Sequence, residues 1–188
     1  MNTIQIRLSS FDDADIVVPL LIEAMGDIAY RLSGTNDHDE CEAILKSHFL
    51  GENSRISYRR CWVIESDGKI CGAIACYGGD RAGEYDEWAR AEIRKRFQYD
   101  QPIDPECEKG EFYIDSIAIS PLYRGKRFSA LLIEKSKEIA KEGGYERVSL
   151  IVDEEKSSLK HYYQSLGFNE DGLKEVYQHS YAHMIFSL

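Results

Sequence analysis

Hydrophobic residues repeat along this chain with two different periods, and each period predicts a different element. Between Glu111 and Ile119 the apolar positions stand among residues that favour strands, and Pro121 ends the run. After a tight turn at 122–126, apolar residues return at helical spacing from about Arg127. The pattern therefore predicts a strand, a turn and a helix in direct succession.

The same two periods predict the other elements. Strands are expected at 3–8, 61–65, 70–77, 147–152 and 168–170, and in a final pair near 176 and 181–186, with a hairpin turn at 67–68. Helices are expected from about 16 to 34, from 37 to about 49, and at 156–165. Segment 79–110 is interpreted as a helical insertion in a hairpin, because it is too short for a core of its own. The order predicts a single α/β (α+β) domain over 1–188, with a mixed sheet and helices on both faces.

Composition narrows the class of protein. The 188 residues carry a formal net charge of −10, which argues against non-specific binding to nucleic acid or to an anionic membrane. An acidic surface would favour a cationic acceptor, although acidity also serves solubility alone, and the second interpretation carries more weight. The sequence shows no apolar run of membrane-spanning length, and its N-terminal residues are too polar for a signal peptide.

Cysteine and histidine spacing argues against a metal centre. The five cysteines show no C-x-x-C pair, and the five histidines show no H-E-x-x-H pattern. No metal ligand set is therefore predicted. Since Cys61, Cys71 and Cys76 fall inside predicted strands, we expect buried thiols in a reducing compartment and a cytoplasmic protein.

The turn at 122–126 carries the strongest chemical signal. A strand that feeds a turn and then a helix points unpaired amides and the positive end of the helix dipole at one place. Arg124, Lys126 and Arg127 add three cationic side chains there. The predicted ligand therefore carries phosphate, although the GxxxxGK[ST] and GxGxxG patterns of common nucleotide sites are absent from the sequence.

The segment YRGKRFSALL, residues 123–132, resembles the R-x-x-G-x-G/A loop of the GNAT family of N-acetyltransferases. The resemblance implies that the loop amides hold the pyrophosphate of acetyl-CoA. The implied coenzyme A contacts are Arg124, Gly125, Lys126, Arg127, Phe128, Ser129 and Ala130. Arg127 and Ser129 occupy the two positions that are usually glycine. Ser129 is small, and Arg127 is expected to be tolerated in a right-handed helical backbone.

A second segment supports the resemblance. KSSLKHYYQSLGF, residues 156–168, is similar to the family's N-x-x-A-x-x-L-Y-x-x-x-G-F segment. It places Tyr163 at the family's tyrosine position and Lys156, a cofactor contact, where asparagine is common. The family fold implies a mostly antiparallel sheet of six to seven strands flanked by helices. In that fold the central strand parts from its neighbour, and the freed backbone of Ile117, Ala118 and Ile119 pairs with the pantetheine arm.

Acetyl transfer to an amine needs a base for the ammonium, a donor for the oxyanion and an acid for the leaving thiolate. The resemblance places Asp115 where some family members carry a carboxylate base, and Tyr163 where they carry the acid. The competing interpretations are a carboxylate at a strand end and a core tyrosine. The amide of Ile117 or Ile119 could serve the oxyanion. Glu111 is a weaker candidate, because its place at a strand start fits ordinary solvation.

The acceptor pocket is expected between the first helices and the insertion. Tyr30, Tyr85 and Trp88, with acids nearby, could enclose an amine. Packing of an amphipathic helix explains each of these residues singly and is the competing interpretation. His179 and His183 are weaker candidates for substrate contacts.

The preferred hypothesis is an acetyl-CoA-dependent N-acetyltransferase, in which the primary amine of a small molecule or peptide attacks directly in a ternary complex. One alternative is a non-catalytic acyl-CoA-binding or regulatory protein on the same fold. Another is a phosphate-binding α/β domain with an unrelated ligand. The identity of the acceptor and the length of the acyl group stay open. A homodimer through the exposed final strands fits the pattern without a direct signal for it.

Overall fold

A seven-stranded sheet runs through the molecule. The computed structural model describes residues 3–188, and residues 1 and 2 of the predicted domain lie outside that range. The strand order is β1-β2-β3-β4-β5-β7-β6, where β1 is Ile4–Leu8, β2 Cys61–Ser66, β3 Lys69–Gly78, β4 Phe112–Ile119, β5 Arg147–Asp153, β6 Asn169–Val176 and β7 His179–Ser187. All neighbouring strands are antiparallel except β4 and β5, which are parallel. The predicted mixed, mostly antiparallel sheet is confirmed.

Six α-helices of the described chain cover both faces of the sheet. They are α1 Ala14–Met25, α2 Asp27–Ser33, α3 His38–Leu50, α4 Ala82–Phe97, α5 Phe128–Glu142 and α6 Ser157–Ser165. Helices α1 to α3 form one core with β2 and β3, around residues such as Leu21 and Phe49. Helices α5 and α6 form a second core on the opposite face, which includes Leu132 and Tyr163. Within residues 3–188, no helix combines the length and apolar character needed to cross a membrane.

The first predicted helix is two helices in the structure. Helix α1 begins at Ala14, runs through Pro19 and ends at Met25, and α2 follows after Gly26. Gly26 has φ 56° and ψ −127°, a backbone conformation that glycine adopts most easily. The prediction of one helix ending at Gly34 was therefore wrong. The hydrophobic stripe continues across the break, since α1 and α2 contribute to the same core, so periodicity gave no sign of the break.

The predicted helical insertion at 79–110 is confirmed. It contains α4, whose Tyr85, Ala89 and Ile93 are buried, followed by an irregular segment that leads into β4. This segment carries Glu106, which is buried. Because the insertion places its apolar side chains against the main body of the protein, it contributes to the shared cores.

A β-bulge interrupts β4 in the middle of the sheet. Ile114 pairs with Cys76 of β3, and Ser116 pairs with Ala75, so Asp115 is one extra residue in β4. A bulge of this kind bends the strand and strengthens its twist. The bend therefore occurs at the residue that sequence reasoning selected as a catalytic base.

The extra residue also reverses the alternation of side chains along β4. Before the bulge Phe112 and Ile114 belong to the core under α5, and after it Ile117 and Ile119 do so. An uninterrupted strand would have placed residues 114 and 117 on opposite faces.

Strands β4 and β5 pair over only two positions, Phe112 with Val148 and Tyr113 with Ser149. Both strands continue beyond these pairs, to Ile119 and Asp153. The parallel neighbours therefore part after Tyr113, as the family resemblance implied, and they open a wedge-shaped gap in the middle of the sheet.

The expectation that Glu111 is solvated at the strand start was wrong. Its side chain is 1% exposed and accepts hydrogen bonds from Ser149 Oγ at 2.8 Å and the backbone N–H of Glu108 at 3.1 Å. His183 Nε2 lies 3.3 Å from the same carboxylate. Burial alone would raise the pKa of Glu111, but the contacts to His183, Ser149 and Glu108 outweigh it and lower the pKa to about 2.

Glu111 is therefore expected to make stability depend on pH in the acid range. Its folded-state pKa of about 2 lies below the ordinary 4.5, so its contribution is complete above pH 4.5 and is lost as the pH falls toward 2. A shift of this size corresponds to about 3 kcal/mol. Denaturant unfolding of Glu111→Gln should show such a loss at pH 7 and a shrinking difference from wild type below pH 4.5. Glu108→Gln, at an exposed neighbour (66% exposed), is the control; an equal loss there would contradict the assignment.

Candidate active site

A cavity of about 500 Å³ lies where β4 and β5 part. Its walls are the two parted strands, the junction of α1 and α2, helix α6, and the hairpin of β6 and β7. Polar residues of the lining include Glu23, Asp27, Glu106, Asp115, Tyr163 and Tyr177. The gap in the sheet thus leads into a space large enough for a small molecule.

The open edge of β4 presents the backbone of Ile117 and Ile119. The N–H of Ser120 donates to Cys71 O of β3 at 2.8 Å, and backbone groups alternate in direction along a strand. The amides of Ile117 and Ile119 therefore point away from β3, toward the gap, as sequence reasoning expected. Ile117 also lines the cavity, whereas Ala118 and Ile119 lie outside its lining.

The predicted phosphate loop has the predicted local structure with one exception. A short 3₁₀ turn at Pro121–Tyr123 leads to Gly125 at φ 78°, and α5 begins at Phe128. The first amides of α5, at Phe128, Ser129 and Ala130, have no intrahelical partner, as in any helix. Such an N-terminus favours an anion.

The exception is Arg127, whose backbone is left-handed. The residue has φ 62° and ψ 20° and precedes the first residue of α5. The expectation of a right-handed helical backbone at this position was wrong. This is a conformation that glycine adopts without cost and that other residues adopt rarely.

Arg127→Gly is expected to stabilise the protein. A side chain in the left-handed region costs about 1 kcal/mol, and glycine removes that cost. The free energy of unfolding should rise by about 0.5–1 kcal/mol. Lys126→Gly is the matched control and should lower stability, because Lys126 is not among the residues with positive φ. Equal effects of the two substitutions in denaturant unfolding would contradict this reasoning.

The cationic side chains of the loop differ in their contacts. Arg124 Nε donates to Ile119 O at 3.1 Å, and its guanidinium pairs with Glu23 of α1. Lys126 Nζ lies 5.1 Å from the centre of the Tyr123 ring. Arg124 thus holds the loop against the end of β4.

Ser129 and Lys156 connect the loop region to α6. Ser129 Oγ hydrogen bonds with Tyr162 OH at 2.6 Å, which joins the start of α5 to α6. Lys156 precedes α6, and its backbone N–H donates to Asp153 O at 2.9 Å. The Lys156 side chain lines the cavity, whereas the residues from Arg124 to Ala130 lie outside its lining.

Tyr163 lines the cavity from α6. The residue is buried, and its ring packs against Phe168 with 5.9 Å between the centroids. Burial raises the pKa of its hydroxyl, and Tyr162 adds to the rise. The hydroxyl therefore stays protonated over the ordinary pH range, as a proton donor requires.

Asp115 is held in a buried ion pair. Its carboxylate lies 2.8 Å from Arg55 Nε and accepts hydrogen bonds from Tyr77 OH at 3.1 Å and Ser116 Oγ at 2.8 Å. The side chains of Arg55 and Asp115 are 3% and 2% exposed. Asp115 thus lies at the cavity, and two hydrogen-bond donors and the Arg55 guanidinium already contact its carboxylate.

Glu106 shares the same arginine. Its Oε1 lies 2.5 Å from Arg55 Nη1, and its Oε2 accepts a hydrogen bond from Tyr113 OH at 3.0 Å. Burial raises the pKa of Glu106 and Arg55 opposes that rise, while the charge of Asp115 adds to it. Asp86 Oδ1 lies 3.9 Å from Arg55 Nη1. One buried guanidinium therefore faces three carboxylates.

Sequence reasoning missed Arg55 and Glu106. Arg55 lies between α3 and β2, and Glu106 lies between α4 and β4. Both segments are irregular, so neither hydrophobic periodicity nor a known motif marks these residues. The proline-bearing segment that carries Glu106 reads as an ordinary loop in the sequence.

The three aromatic residues predicted to enclose the acceptor lie elsewhere. Tyr30 OH is 3.2 Å from His38 Nδ1, Trp88 packs edge-on against His48, and Tyr85 packs against Tyr77. None of the three lines the cavity. Each packs as an aromatic side chain of an amphipathic helix does, which was the competing interpretation.

The two histidines near the final turn have different environments. His179 lines the cavity, with Nε2 3.1 Å from Asp153 Oδ1. His183 is buried beside Glu111 and is not part of the lining. Of the two, only His179 is placed to contact a molecule in the cavity. Within residues 3–188, no cluster of side chains could hold a metal ion.

The model of the acetyltransferase (GNAT) family matches residues 24–168. The chain therefore belongs to the GNAT family of acetyltransferases, which use acetyl-CoA. The predictions of this family and of an N-acetyltransferase enzyme are confirmed. No curated protein sequence matches the chain.

Solved structures share the fold at low sequence identity. An N-acetyltransferase from Staphylococcus aureus is 24% identical, over 97% of this chain and 100% of that chain, with a TM-score of 0.79. A polyamine N-acetyltransferase from Drosophila melanogaster is 13% identical, over 99% and 100% of the two chains, with a TM-score of 0.61. The PaiA N-acetyltransferase from Thermoplasma acidophilum, in complex with coenzyme A, is 14% identical, over 99% of both chains, with a TM-score of 0.58.

Proposed function

We propose that this chain transfers the acetyl group of acetyl-CoA to the primary amine of a small cationic molecule, by direct attack in a ternary complex. The observation that carries the proposal is the gap between β4 and β5. It combines an open strand edge, a helix N-terminus and a cavity that Tyr163 lines. The strand edge can contact an extended arm, the helix N-terminus can contact a diphosphate, and the cavity can hold the reactive end of the same ligand.

The residues present fit coenzyme A. The amides of Ile117 and Ile119 can pair with an extended arm in the manner of an added strand. The amides at Phe128, Ser129 and Ala130, with the side chains of Lys126 and Arg127, suit a diphosphate. Bound there, acetyl-CoA supplies an acetyl group activated as a thioester.

The chain's own groups cover the remaining needs of the reaction. An amide of Ile117 or Ile119 at the open edge is available to the oxyanion. Tyr163 lines the cavity and carries a protonated hydroxyl, which suits it to donate a proton to the departing thiolate. Burial raises the pKa of a thiol as well as that of a phenol. The pKa values of the donating phenol and of the thiol that forms therefore rise together. Asp115, the predicted base, holds its ion pair with Arg55 at the cavity wall.

The acceptor is proposed to be cationic. Among the described residues, the cavity lining contains five carboxylates but only two residues that are arginine or lysine. The carboxylates are Glu23, Asp27, Glu106, Asp115 and Asp153, and the two cationic residues are Arg31 and Lys156. Arg55 and Arg124 neutralise part of this charge from outside the lining, and the remaining excess of carboxylates favours a cationic acceptor. Relatives of the same fold that bear the names polyamine N-acetyltransferase and spermidine N-acetyltransferase support the choice. A cavity of about 500 Å³ suits a small molecule better than a folded protein surface.

The test is the release of free coenzyme A from acetyl-CoA in the presence of an amine panel. The panel contains polyamines, amino acids, an aminoglycoside and a lysine-bearing peptide, and a thiol reagent reports the product. Polyamines should give the highest kcat/KM, and mass spectrometry should show an added acetyl group on nitrogen. Tight acetyl-CoA binding by calorimetry without transfer to any amine would favour the acyl-CoA-binding alternative and overturn the proposal.

Two further proposals concern the cellular compartment and the oligomeric state of the protein. The five cysteines are buried and unpaired, which supports the proposed reducing, cytoplasmic compartment.

Strand β6 is at the edge of the sheet, and the side chain of Leu173 on this strand is 60% exposed. We propose this edge as the contact of a homodimer; sedimentation analysis would reveal a monomer if the proposal is wrong.

A further inference from the structure

We infer that Glu106 is the group that takes the proton from the acceptor amine, and that Arg55 and Tyr113 hold it in place. The inference rests on the proposed function and assigns a residue that no family motif marks. Glu106 is 3% exposed, yet it lines the cavity between β4 and β5. A buried carboxylate that still reaches the cavity is placed to meet a substrate.

The groups packed against each carboxylate oxygen favour Glu106 over Asp115. Asp115 accepts one hydrogen bond on each oxygen, from Tyr77 on Oδ2 and from Ser116 on Oδ1, and its Oδ2 also lies 2.8 Å from Arg55 Nε in an ion pair. Glu106 receives one donor on each oxygen, Arg55 on Oε1 and Tyr113 on Oε2. A carboxylate offers about four acceptor positions, so Glu106 keeps a free position on both oxygens. At Asp115 the guanidinium of Arg55 lies against the same oxygen that Tyr77 contacts, so this oxygen is less accessible to an incoming N–H.

The surroundings of Glu106 also favour proton uptake. Burial is the largest influence on its pKa and raises it, Arg55 lowers it, and the charge of Asp115 raises it again. A carboxylic acid with a raised pKa is a stronger base in its ionised form, closer to the neutral range where a base works well. The titratable groups around the cluster are Arg55, Tyr77, Asp86, Cys107, Tyr113, Asp115 and Tyr177.

A second polar atom points to a ligand at the same place. The hydroxyl of Tyr177 is buried and has no hydrogen-bond partner in the described part of the chain. Tyr177 lines the cavity with Glu106; burial raises the pKa of its hydroxyl, and the charge of Glu106 adds to the rise. Buried polar groups normally find a partner. An amine in this part of the cavity would provide one while its proton moves to Glu106.

The proton transfers balance over one turnover. The ammonium gives one proton to Glu106, and the neutral nitrogen forms the N–C bond as the C–S bond breaks. Tyr163 gives its proton to the sulfur. After the attack the nitrogen carries two protons: the amide keeps one, and the other returns to the Tyr163 hydroxyl. Glu106 releases its proton to solvent, so the products are the acetamide, the free thiol and one proton.

The test compares the pH dependence of kcat/KM in three variants: Glu106→Gln, Asp115→Asn and His179→Gln. Wild-type activity should fall on the acid side as the base becomes protonated. Glu106→Gln should lower kcat/KM by about 10²–10⁴-fold and abolish this acid limb, with the calorimetric affinity for coenzyme A unchanged. His179→Gln and Asp115→Asn should keep the limb. A limb that survives in Glu106→Gln, or one that disappears in His179→Gln or Asp115→Asn, overturns the inference.

A second variant, which leaves Glu106 in place, tests the same inference if Glu106→Gln does not fold. Tyr113→Phe removes the donor to Glu106 Oε2, and that hydrogen bond lowers the pKa of Glu106. The acid limb should therefore move to higher pH by about half a unit to one unit. A merely structural role of Glu106 would leave the limb in place. A wild-type protein that acetylates no amine overturns the proposed function as well, whereas an active wild type with an unmoved limb overturns only the role of Glu106.

Discussion

Tyr163→Phe is expected to lower kcat by about 10²–10⁴-fold, the range for loss of a general acid. Tyr163 lines the cavity, and the substitution removes only its hydroxyl. Burial and Tyr162 account for the rise of its pKa, with no hydrogen bond contributing, so the melting temperature should hardly change. Steady-state kinetics with the best amine from the panel, together with thermal unfolding, measure both effects.

Tyr162→Phe is the matched control on the same helix. Its hydroxyl bonds Ser129 at the start of α5, near the proposed diphosphate contact and not at the cavity. Its loss should therefore raise KM for acetyl-CoA and leave kcat nearly constant. If Tyr163→Phe retains full kcat while the chemical step limits the rate, Tyr163 is a core tyrosine and not the acid.

Arg55→Met is expected to cost about 3–5 kcal/mol of the free energy of unfolding, the cost of breaking a buried ion pair on one side. Burial opposes the charge of Arg55, but Asp115 and Glu106 outweigh it and raise the pKa of the guanidinium. Removing the guanidinium leaves two nearly inaccessible carboxylates without their cation. A typical domain has only about 5–15 kcal/mol to lose, so the variant should unfold at much lower urea concentration.

The control for this prediction is Arg59→Met. Arg59 pairs with Glu52 at the surface, where the two side chains are 52% and 60% exposed. Water already solvates such a pair, so its loss should change the urea midpoint little. Equal midpoints for the Arg55 and Arg59 variants would mean that the carboxylates around Arg55 take up protons and lose their charge in its absence.

The elements with a regular period could be predicted from the sequence, and the irregular ones could not. Strand β4 and the start of helix α5 were expected within a residue or two of their observed positions, since alternation and helical spacing are clear there. The turn at Asp67 and Gly68 has two positive φ angles, as a tight hairpin requires. In contrast, β6 is an exposed, mostly polar edge strand, so its length had no hydrophobic signal.

The residues of the candidate site also fall into a predictable group and an unpredictable group. Tyr163 and the amides of Ile117 and Ile119 could be placed because motifs and strand geometry fix them. Arg55 and Glu106 come from two irregular segments that meet only in the folded chain, 51 positions apart in sequence. A buried arginine with several carboxylates depends on tertiary contacts, and a single sequence shows only that the charges exist.

The extra residue in β4 has a consequence for how this fold can change by mutation. Deletion of Asp115 alone would leave Ile114, Ser116 and Ile117 in regular alternation, in register with β3. The same single-codon loss would remove a charged group from the cavity wall and the bend that the bulge introduces into β4. The shape of the strand and the charge of the cavity wall therefore depend on the same residue, so one deletion would change both.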